Sequence, residues 1–358
     1  MTPILILDGV RKSYGPLVAV DDFSLNVYPQ EFVSIIGPSG CGKTVVLRMI
    51  CGLEKPDSGN IMLRGQAVDD IPVHKRNLPL VFQSFALFPH MNVYKNIEFG
   101  LKMHRVKAGE RNQRIMSTLK MLGMEDLSHR QVIQLSGGQM QRVGLARALV
   151  INPDILLLDD PLGALDAKIR ISMQNELRQL QRMLKVTIVH VTNNQTEALV
   201  VADKILVMSK GKIEMVDTPD EVYLKPQTKF VARFVGKNNL LDGTVLGIVD
   251  DSAYVETELG TIMAKIGDRK PAANSQVCVV VKAESVKEDV SAPEYVNSLV
   301  GTLVGLEYQG SVVTYTLSLS NKQTIYMEKH ESLSRHKPPS HGETLRVAWK
   351  AEDCYLIF

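Results

Sequence analysis

Two adjacent carboxylates, Asp159 and Asp160, are the side chains of this sequence best placed to do chemistry. They directly follow the apolar run 155–158, and such a run predicts a strand that is buried on both faces. A buried parallel strand that ends in two acids brings its carboxylates to the edge of a phosphate site. The first carboxylate is expected to hold a metal ion, and the second to handle an attacking water.

A phosphate-binding loop is predicted at residues 37–44, between an apolar strand at 30–36 and a helical pattern at 45–50. The segment matches the pattern G-x-x-x-x-G-K-[ST], in which glycines turn backbone N–H groups toward phosphate oxygens at a helix N-terminus. Lys43 is expected to reach the phosphates, and the Thr44 hydroxyl to hold Mg²⁺. The loop consists of Gly37, Pro38, Ser39, Gly40, Cys41, Gly42, Lys43 and Thr44.

A second anion-binding helix start is predicted at residues 135–139, ahead of a helical pattern at 140–150. An ordinary N-cap at Ser136 is the plain alternative. The glycines Gly137 and Gly138 argue against it, because they weaken a helix and are tolerated mainly where backbone must approach a ligand.

Taken together, these motifs resemble those of the ATPase subunit of ABC transporters, and the resemblance covers nearly the whole chain. Residues 37–44 match its Walker A motif, 155–159 its Walker B motif and 164–166 its D-loop. The signature motif is matched by Leu135, Ser136, Gly137, Gly138 and Gln139, the Q-loop glutamine by Gln83, and the adenine-stacking aromatic by Tyr14.

The resemblance implies ATP and Mg²⁺ as cofactors, with Thr44, Gln83 and Asp159 around the metal and Gln83, Asp160 and Asn193 as catalytic residues. Tyr14, Val45, the signature residues and Asp166 would complete the ATP-binding surface.

Partners are implied by the same resemblance. A second ABC ATPase subunit would pack head to tail, so that each ATP lies between one P-loop and the other subunit's signature. The resemblance also implies two membrane permease subunits and, indirectly, a substrate-binding protein. The chain would then lie peripherally at the cytoplasmic face of a bacterial inner membrane. The region 82–96 would face the permease, with Phe85 and Phe88 exposed on it; a core role for Phe82 or Phe88 is an equal alternative.

Three residues depart from the family pattern, and all belong to the chain's own nucleotide site. Asp160 replaces a catalytic Glu, so its carboxylate would sit on the order of 1 Å further from the water, a misplacement that can cost about 10²-fold in rate. Asn193 replaces the switch His and carries no charge. Val45 replaces a hydroxyl residue. His190 is not expected to substitute, because its offset along the strand points it to the other face.

Two interpretations of these departures remain open. In one, the chain is a degenerate half that binds ATP, hydrolyses it slowly and lends its intact signature to a different ATPase. In the other, it forms a homodimer whose sites work with Asp and Asn. The clustering of all three changes on one site favours the first.

Bulk properties bound the remaining possibilities. The 358 residues allow two or three domains, and a net charge of +2 gives no sign of a nucleic-acid-binding field. Apolar stretches fall short of the ~18 residues of a membrane span, and the start lacks a signal-peptide pattern. The four cysteines are scattered without metal-ligand spacing, which is typical of reduced cytosolic thiols.

The fold class predicted is an α/β P-loop ABC ATPase core at 1–236, with a helical subdomain at about 89–151. A small all-β domain follows at 240–358, because short β-rich runs separated by turns replace the helical periodicity there. It resembles the OB-like TOBE domain of importer ATPases, with a structural or regulatory role. Its runs lack a basic patch interleaved with aromatics, so nucleic-acid binding is not expected.

The cargo class is only weakly indicated. Residues 161–168, the linker at 234–240 and the β-rich tail look most like importers of the polyamine, opine, phosphonate or ferric-iron group. The alternative function is a soluble ABC ATPase without a permease. Such proteins usually carry two cassettes or a long coiled coil, whereas this chain shows one P-loop and no sustained heptads.

Overall fold

The computed structural model describes residues 2–267, 270–288, 292–330 and 339–358. The chain packs as two compact units, Met1–Asp220 and Glu221–Phe358. The predicted division lay at residues 236–240. The structure groups the short helix at 229–234 with the second unit, where Ala232 packs against Cys278 and Val280.

The strands of the first unit are β1 (Leu5–Tyr14), β2 (Leu17–Val27), β3 (Phe32–Ile36), β4 (Ser58–Leu63), β5 (Gln66–Ala67), β6 (Leu80–Val81), β7 (Ile155–Asp159), β8 (Thr187–Thr192), β9 (Lys204–Ser209) and β10 (Lys212–Asp217). Its helices are α1 (Lys43–Cys51), α2 (Val73–Arg76), α3 (Val93–Met103), α4 (Ala108–Met121), α5 (Gly137–Leu149), α6 (Ala167–Leu184) and α7 (Gln195–Val201). Two short helices, α8 (Pro219–Leu224) and α9 (Lys229–Phe234), follow.

A six-stranded sheet in the order β10-β9-β3-β8-β7-β6 positions the nucleotide site. Strands β9, β3, β8, β7 and β6 pair in parallel, so their carboxyl ends meet at one edge. The strands β3 and β8 are buried at every residue, as expected when both faces of a sheet are covered. Ligands of such sheets bind at this edge, where the loops after β3, β7 and β8 converge.

A second, antiparallel sheet in the order β2-β1-β4-β5 completes the α/β part of the first unit. Its buried side chains share one core with those of β3, α1, β7 and β8. A separate core joins α3, α4 and α5, and it is formed largely by Val93, Ile97, Leu101, Leu119 and Val143. These three helices lie inside the segment 89–151 that was predicted to be the helical subdomain.

The second unit is built from two five-stranded sheets, which confirms the predicted all-β domain. One sheet has the order β13-β12-β11-β14-β20, and the other has the order β15-β19-β16-β17-β18. The strands are β11 (Asn238–Val249), β12 (Ser252–Thr257), β13 (Gly260–Lys265), β14 (Gln276–Lys282), β15 (Lys287–Glu288), β16 (Asn297–Tyr308), β17 (Val312–Ser318), β18 (Thr324–His330), β19 (Thr344–Trp349) and β20 (Cys354–Ile357). Inward-facing residues of both sheets form one core around the fully buried Trp349.

Candidate functional site

The predicted phosphate loop lies between β3 and α1, as its sequence context requires. At two positions of the loop, backbone atoms from other segments lie so close that only glycine fits. A Cβ at Gly37 would lie 2.1 Å from the Met208 carbonyl oxygen, and one at Gly42 would lie 2.2 Å from that of Ala19. Gly42 also has a φ of 109°, a left-handed conformation that favours glycine. The loop conformation therefore depends on these two residues being glycine.

The side chain of Lys43 folds back over the loop. Its Nζ donates hydrogen bonds of 2.9 Å to the carbonyl oxygens of Gly37 and Pro38, and the residue is buried. Its other contact is with the Cys41 sulfur at 3.7 Å, and an ammonium held by such neutral groups is poorly compensated, so an anion at this loop would be a favourable partner. This placement fits the predicted phosphate-binding role.

The predicted metal-binding residues Thr44 and Asp159 meet directly. The Thr44 Oγ1 donates a 3.0 Å hydrogen bond to Asp159 Oδ1, although 115 residues separate them in the chain. A hydroxyl in the first turn of α1 and a carboxylate at the end of β7 form the oxygen-donor pair that magnesium uses in P-loop proteins. The residues present therefore fit Mg²⁺.

Asp160 occupies an unusual backbone position just after β7. Its φ is 45°, and its N–H donates to the Val191 carbonyl oxygen at 2.8 Å. Two side chains hold its carboxylate: Gln83 Nε2 donates to Oδ2 at 3.1 Å, and Thr192 Oγ1 lies 3.4 Å from Oδ1. The structure therefore brings together the predicted catalytic residues Asp160 and Gln83.

The electrostatic surroundings of Asp160 disfavour its charged form. Burial raises the pKa of its carboxyl above the ordinary value, and the negative charge of Glu197 raises that pKa further. His190 acts in the opposite direction on the same pKa. The shorter acid is thus also held in a partly desolvated place.

Behind Asp160 lies a buried polar cluster that the sequence analysis did not assign. The Thr192 Oγ1 is 3.3 Å from Glu197 Oε2, and His190 Nε2 is 3.0 Å from Glu197 Oε1, a close contact misaligned for a hydrogen bond. The other His190 nitrogen, Nδ1, pairs with Ser34 Oγ at 3.0 Å. His190 and Glu197 are both at most 1% exposed. The only sequence signal for this cluster was polar residues inside or beside an apolar strand.

Asn193, which was predicted to replace the switch His, is exposed immediately after β8. Its neighbour Asn194 has a local structural role, since its side chain accepts from the Glu197 N–H and caps α7. Val45 is half-buried in the first turn of α1 and packs against the main core. Tyr14 ends β1 with 43% of its surface exposed, and Lys12 Nζ lies 5.6 Å from its ring centroid.

The signature residues form the start of α5. The Ser136 hydroxyl accepts from the Gln139 N–H, while the Gln139 side chain accepts from the Ser136 N–H, a reciprocal capping box. Gly137 and Gly138 face Leu165 and Ile169, and a Cβ at Gly138 would lie 3.1 Å from the Ile169 side chain. Asp166 caps α6 by accepting from the Ile169 N–H at 3.0 Å. The signature and the D-loop are therefore neighbours.

The segment after Gln83 forms a tight turn against α5. Phe85 is only 6% exposed, so its expected place on a contact surface is wrong: its side chain packs inward. Phe88 is half-buried, and its ring lies tilted against that of Phe99, with ring centroids 4.7 Å apart. The aromatic side chains of this segment therefore pack within the protein itself.

Comparisons with known proteins agree with this geometry. Residues 20–163 match the family model of ABC transporters, and residues 279–357 match the TOBE domain. The chain is 38% identical over 350 residues to the spermidine/putrescine import ATP-binding protein PotA of Aggregatibacter actinomycetemcomitans, covering 97% of this chain and 94% of the relative. The protein of the same name from Thermobifida fusca is 39% identical over 367 residues, covering 99% and 94%.

Solved structures give the same result for the first unit. CbiO1 from Clostridium perfringens, part of the transporter complex cbiONQ, aligns with a TM-score of 0.59 and 28% identity, covering 65% of this chain and 94% of that one. The dimeric bacterial ABC transporter cassette MJ0796 aligns with a TM-score of 0.55 and 33% identity, covering 60% and 98%. None of the described helices is long and apolar enough to cross a membrane. The chain therefore belongs to the ATP-binding subunits of ABC importers and is an ABC-type transport ATPase with a C-terminal TOBE domain.

Proposed function

We propose that the P-loop of this chain binds ATP together with Mg²⁺. The contact between Thr44 and Asp159 carries this proposal, because it joins two metal-binding oxygens beside a buried lysine. Lys43 would hold the phosphates, Thr44 and Asp159 would hold the metal with Gln83, and Tyr14 would stack on the base. The metal supplies charge neutralisation at the phosphates when bound.

Hydrolysis at this site is proposed to be slow. Asp160 would orient the attacking water, but its carboxylate is one methylene shorter than the family's Glu and is partly desolvated. Asn193 can donate a hydrogen bond to phosphate but cannot carry charge. The signature, by contrast, is intact: its capping box satisfies the N–H groups of Ser136 and Gln139, and the amides of Gly137 and Gly138 at the start of α5 would bind the nucleotide of a partner ATPase.

The partner is proposed to be a second ABC ATPase subunit that packs head to tail, with a different subunit favoured over a second copy. Two permease subunits would complete a polyamine importer at the cytoplasmic face of a bacterial inner membrane. The support for polyamine cargo is the likeness over nearly the full length to proteins named for spermidine and putrescine import. The TOBE domain is proposed to be regulatory.

Calorimetric ATP titration with and without Mg²⁺ tests the nucleotide site. We expect Mg²⁺ to tighten binding to the parent chain, and the substitution Thr44→Val to abolish this tightening while leaving Mg²⁺-free binding unchanged. Thr118→Val is the matched control, because Thr118 is a buried threonine on α4 that bonds only within its helix. Equal Mg²⁺ dependence in parent and Thr44→Val would rule out the proposed metal site.

A transport assay tests the cargo. Proteoliposomes containing the chain and the membrane subunits that co-purify with it should take up labelled spermidine when ATP is supplied. Absence of co-purifying membrane subunits would contradict the importer proposal, and uptake that is insensitive to Asp159→Asn would contradict the role of this site.

A further inference from the structure

The backbone next to Gln83 is strained. Phe85 and Ala86 have φ angles of 61° and 46°, so two consecutive residues that are not glycine adopt the left-handed conformation. Such conformations persist only where the surrounding structure holds them, and they cluster at functional sites. Gln83, two residues earlier, donates to Asp160. The strained turn therefore lies at the base of a catalytic contact.

Arg147, near the C-terminal end of α5, binds this turn from 61 residues further along the chain. Its Nη1 donates to the Ala86 carbonyl oxygen at 2.8 Å, and its Nη2 donates to the Phe85 carbonyl oxygen at 2.9 Å. Its guanidinium also lies 5.5 Å from the centroid of the Phe88 ring. The rigid, planar fork of arginine matches two successive carbonyls in a way that a single-point donor cannot.

Close packing keeps α5 and the turn together. Gly144 lies one helical turn before Arg147, and a Cβ there would already touch the Phe85 carbonyl oxygen at 3.8 Å. The Phe85 side chain is buried, and its N–H donates to the Phe82 carbonyl oxygen at 2.8 Å. The turn is therefore anchored on one side by its own hydrogen bond and on the other by α5.

We propose that Arg147 is a positioning residue for ATP hydrolysis: by binding the carbonyls of Phe85 and Ala86, it holds the strained turn that places the Gln83 amide against Asp160. This inference rests on the roles proposed above for Gln83 and Asp160. The signature residues begin the same helix, so one rigid element carries both the surface offered to a partner's nucleotide and the support of this chain's own glutamine.

The test combines loss of the arginine with relief of the strain. In Arg147→Met the turn loses both donors, and we expect the turnover number to fall about 10- to 100-fold with the KM for ATP unchanged, because a displaced group costs rate without costing binding. Glycine adopts the left-handed conformation without strain, so adding Ala86→Gly to Arg147→Met should recover at least fivefold. Ala86→Gly alone should stay within twofold of the parent.

Arg142→Met is the matched control on the same helix, because Arg142 pairs with Glu176 and the Leu122 carbonyl oxygen, away from the turn. Its turnover should stay within threefold of the parent. Turnover of Arg147→Met within twofold of the parent would overturn the proposal, and so would a fall that Ala86→Gly does not reverse by at least twofold.

Amide hydrogen exchange separates this proposal from the proposed catalytic site. Exchange at residues 85–87 should rise at least tenfold in Arg147→Met while exchange in α1 and β7 stays unchanged, whether or not the chain hydrolyses ATP. A parent turnover equal to that of Asp160→Asn would show that the proposed catalytic site is wrong, and the exchange result then decides on Arg147 alone. Unchanged exchange at 85–87 would overturn the positioning role.

Discussion

At the scale of single residues, the carboxylate of Asp160, which is proposed to orient the attacking water, contacts a neighbour that the sequence motifs did not single out. The Thr192 hydroxyl lies between the carboxylates of Asp160 and Glu197, and its oxygen accepts the Asn194 N–H at 3.0 Å. The single hydroxyl hydrogen of Thr192 is thus shared between the carboxylates of Asp160 and Glu197. Removing it would take one of the two described side-chain donors from Asp160 and leave the other, Gln83.

We expect Thr192→Val to lower the turnover number by about 10-fold or more with little change in ATP affinity, because the isosteric valine removes the donor beside Asp160. Thr187→Val is the control on the same strand, since Thr187 is also buried and its hydroxyl accepts only a backbone N–H, that of Gln30. Steady-state ATPase kinetics on both variants check this. Equal kinetic loss in the two variants would mean that Thr192 acts through stability alone.

The sequence predicted the residues that belong to recognisable motifs. It did not predict contacts between residues that lie far apart along the chain. Lys43 and Asp159 follow strands whose apolar patterns were readable, so their edge of the sheet was predictable, and Gln83 was found by its motif. Thr192 was visible only as a polar strand end, and Arg147 only as a charge on an amphipathic helix. Their contacts with Asp160 and with residues 85–86 arise from tertiary packing, which local patterns do not encode.

At the scale of elements, the phosphate loop depends on glycine for two separable reasons. Gly42 combines a left-handed φ with a backbone neighbour 2.2 Å from its would-be Cβ. Gly65, in the turn between β4 and β5, has a comparable φ of 77° but open space around it. Comparing substitutions at Gly42 and Gly65 therefore distinguishes the effect of backbone strain from the effect of the steric clash.

Gly65→Ala should cost about 1 kcal/mol of unfolding free energy and leave ATP binding intact, because only the backbone strain acts. Gly42→Ala should cost more and weaken ATP binding at least tenfold, since the loop must move away from Ala19. Thermal unfolding and ATP titration measure the two effects. Parent-like ATP affinity in Gly42→Ala would contradict the described loop as the binding conformation.

At the scale of the whole molecule, the chain consists of two compact units with separate cores. The first unit carries every residue assigned to the nucleotide, and the start of its helix α5 is proposed as a second anion site. The TOBE unit contains the chain's single tryptophan in its core. The cargo class was only weakly predictable because, in the proposed importer, other subunits would choose the solute.

At this chain's own nucleotide site, ATP binding and ATP hydrolysis are proposed to differ in how well they are supported by the residues present. We infer that the chain's own site binds nucleotide and that Asp160 and Asn193 would reduce its catalytic power. On this proposal, a working transporter would use the chain's intact signature to complete a partner's site. Whether the site works alone is therefore the property that separates a degenerate half from a self-sufficient homodimer.

The most direct test is phosphate release by the purified chain alone at saturating ATP and Mg²⁺, compared with Asp160→Glu/Asn193→His. We expect a parent turnover below roughly 1 s⁻¹, the low end of ordinary enzymes, and an increase of at least about tenfold in the double variant. A parent turnover at or above roughly 1 s⁻¹, or a double variant no faster than the parent, would contradict it.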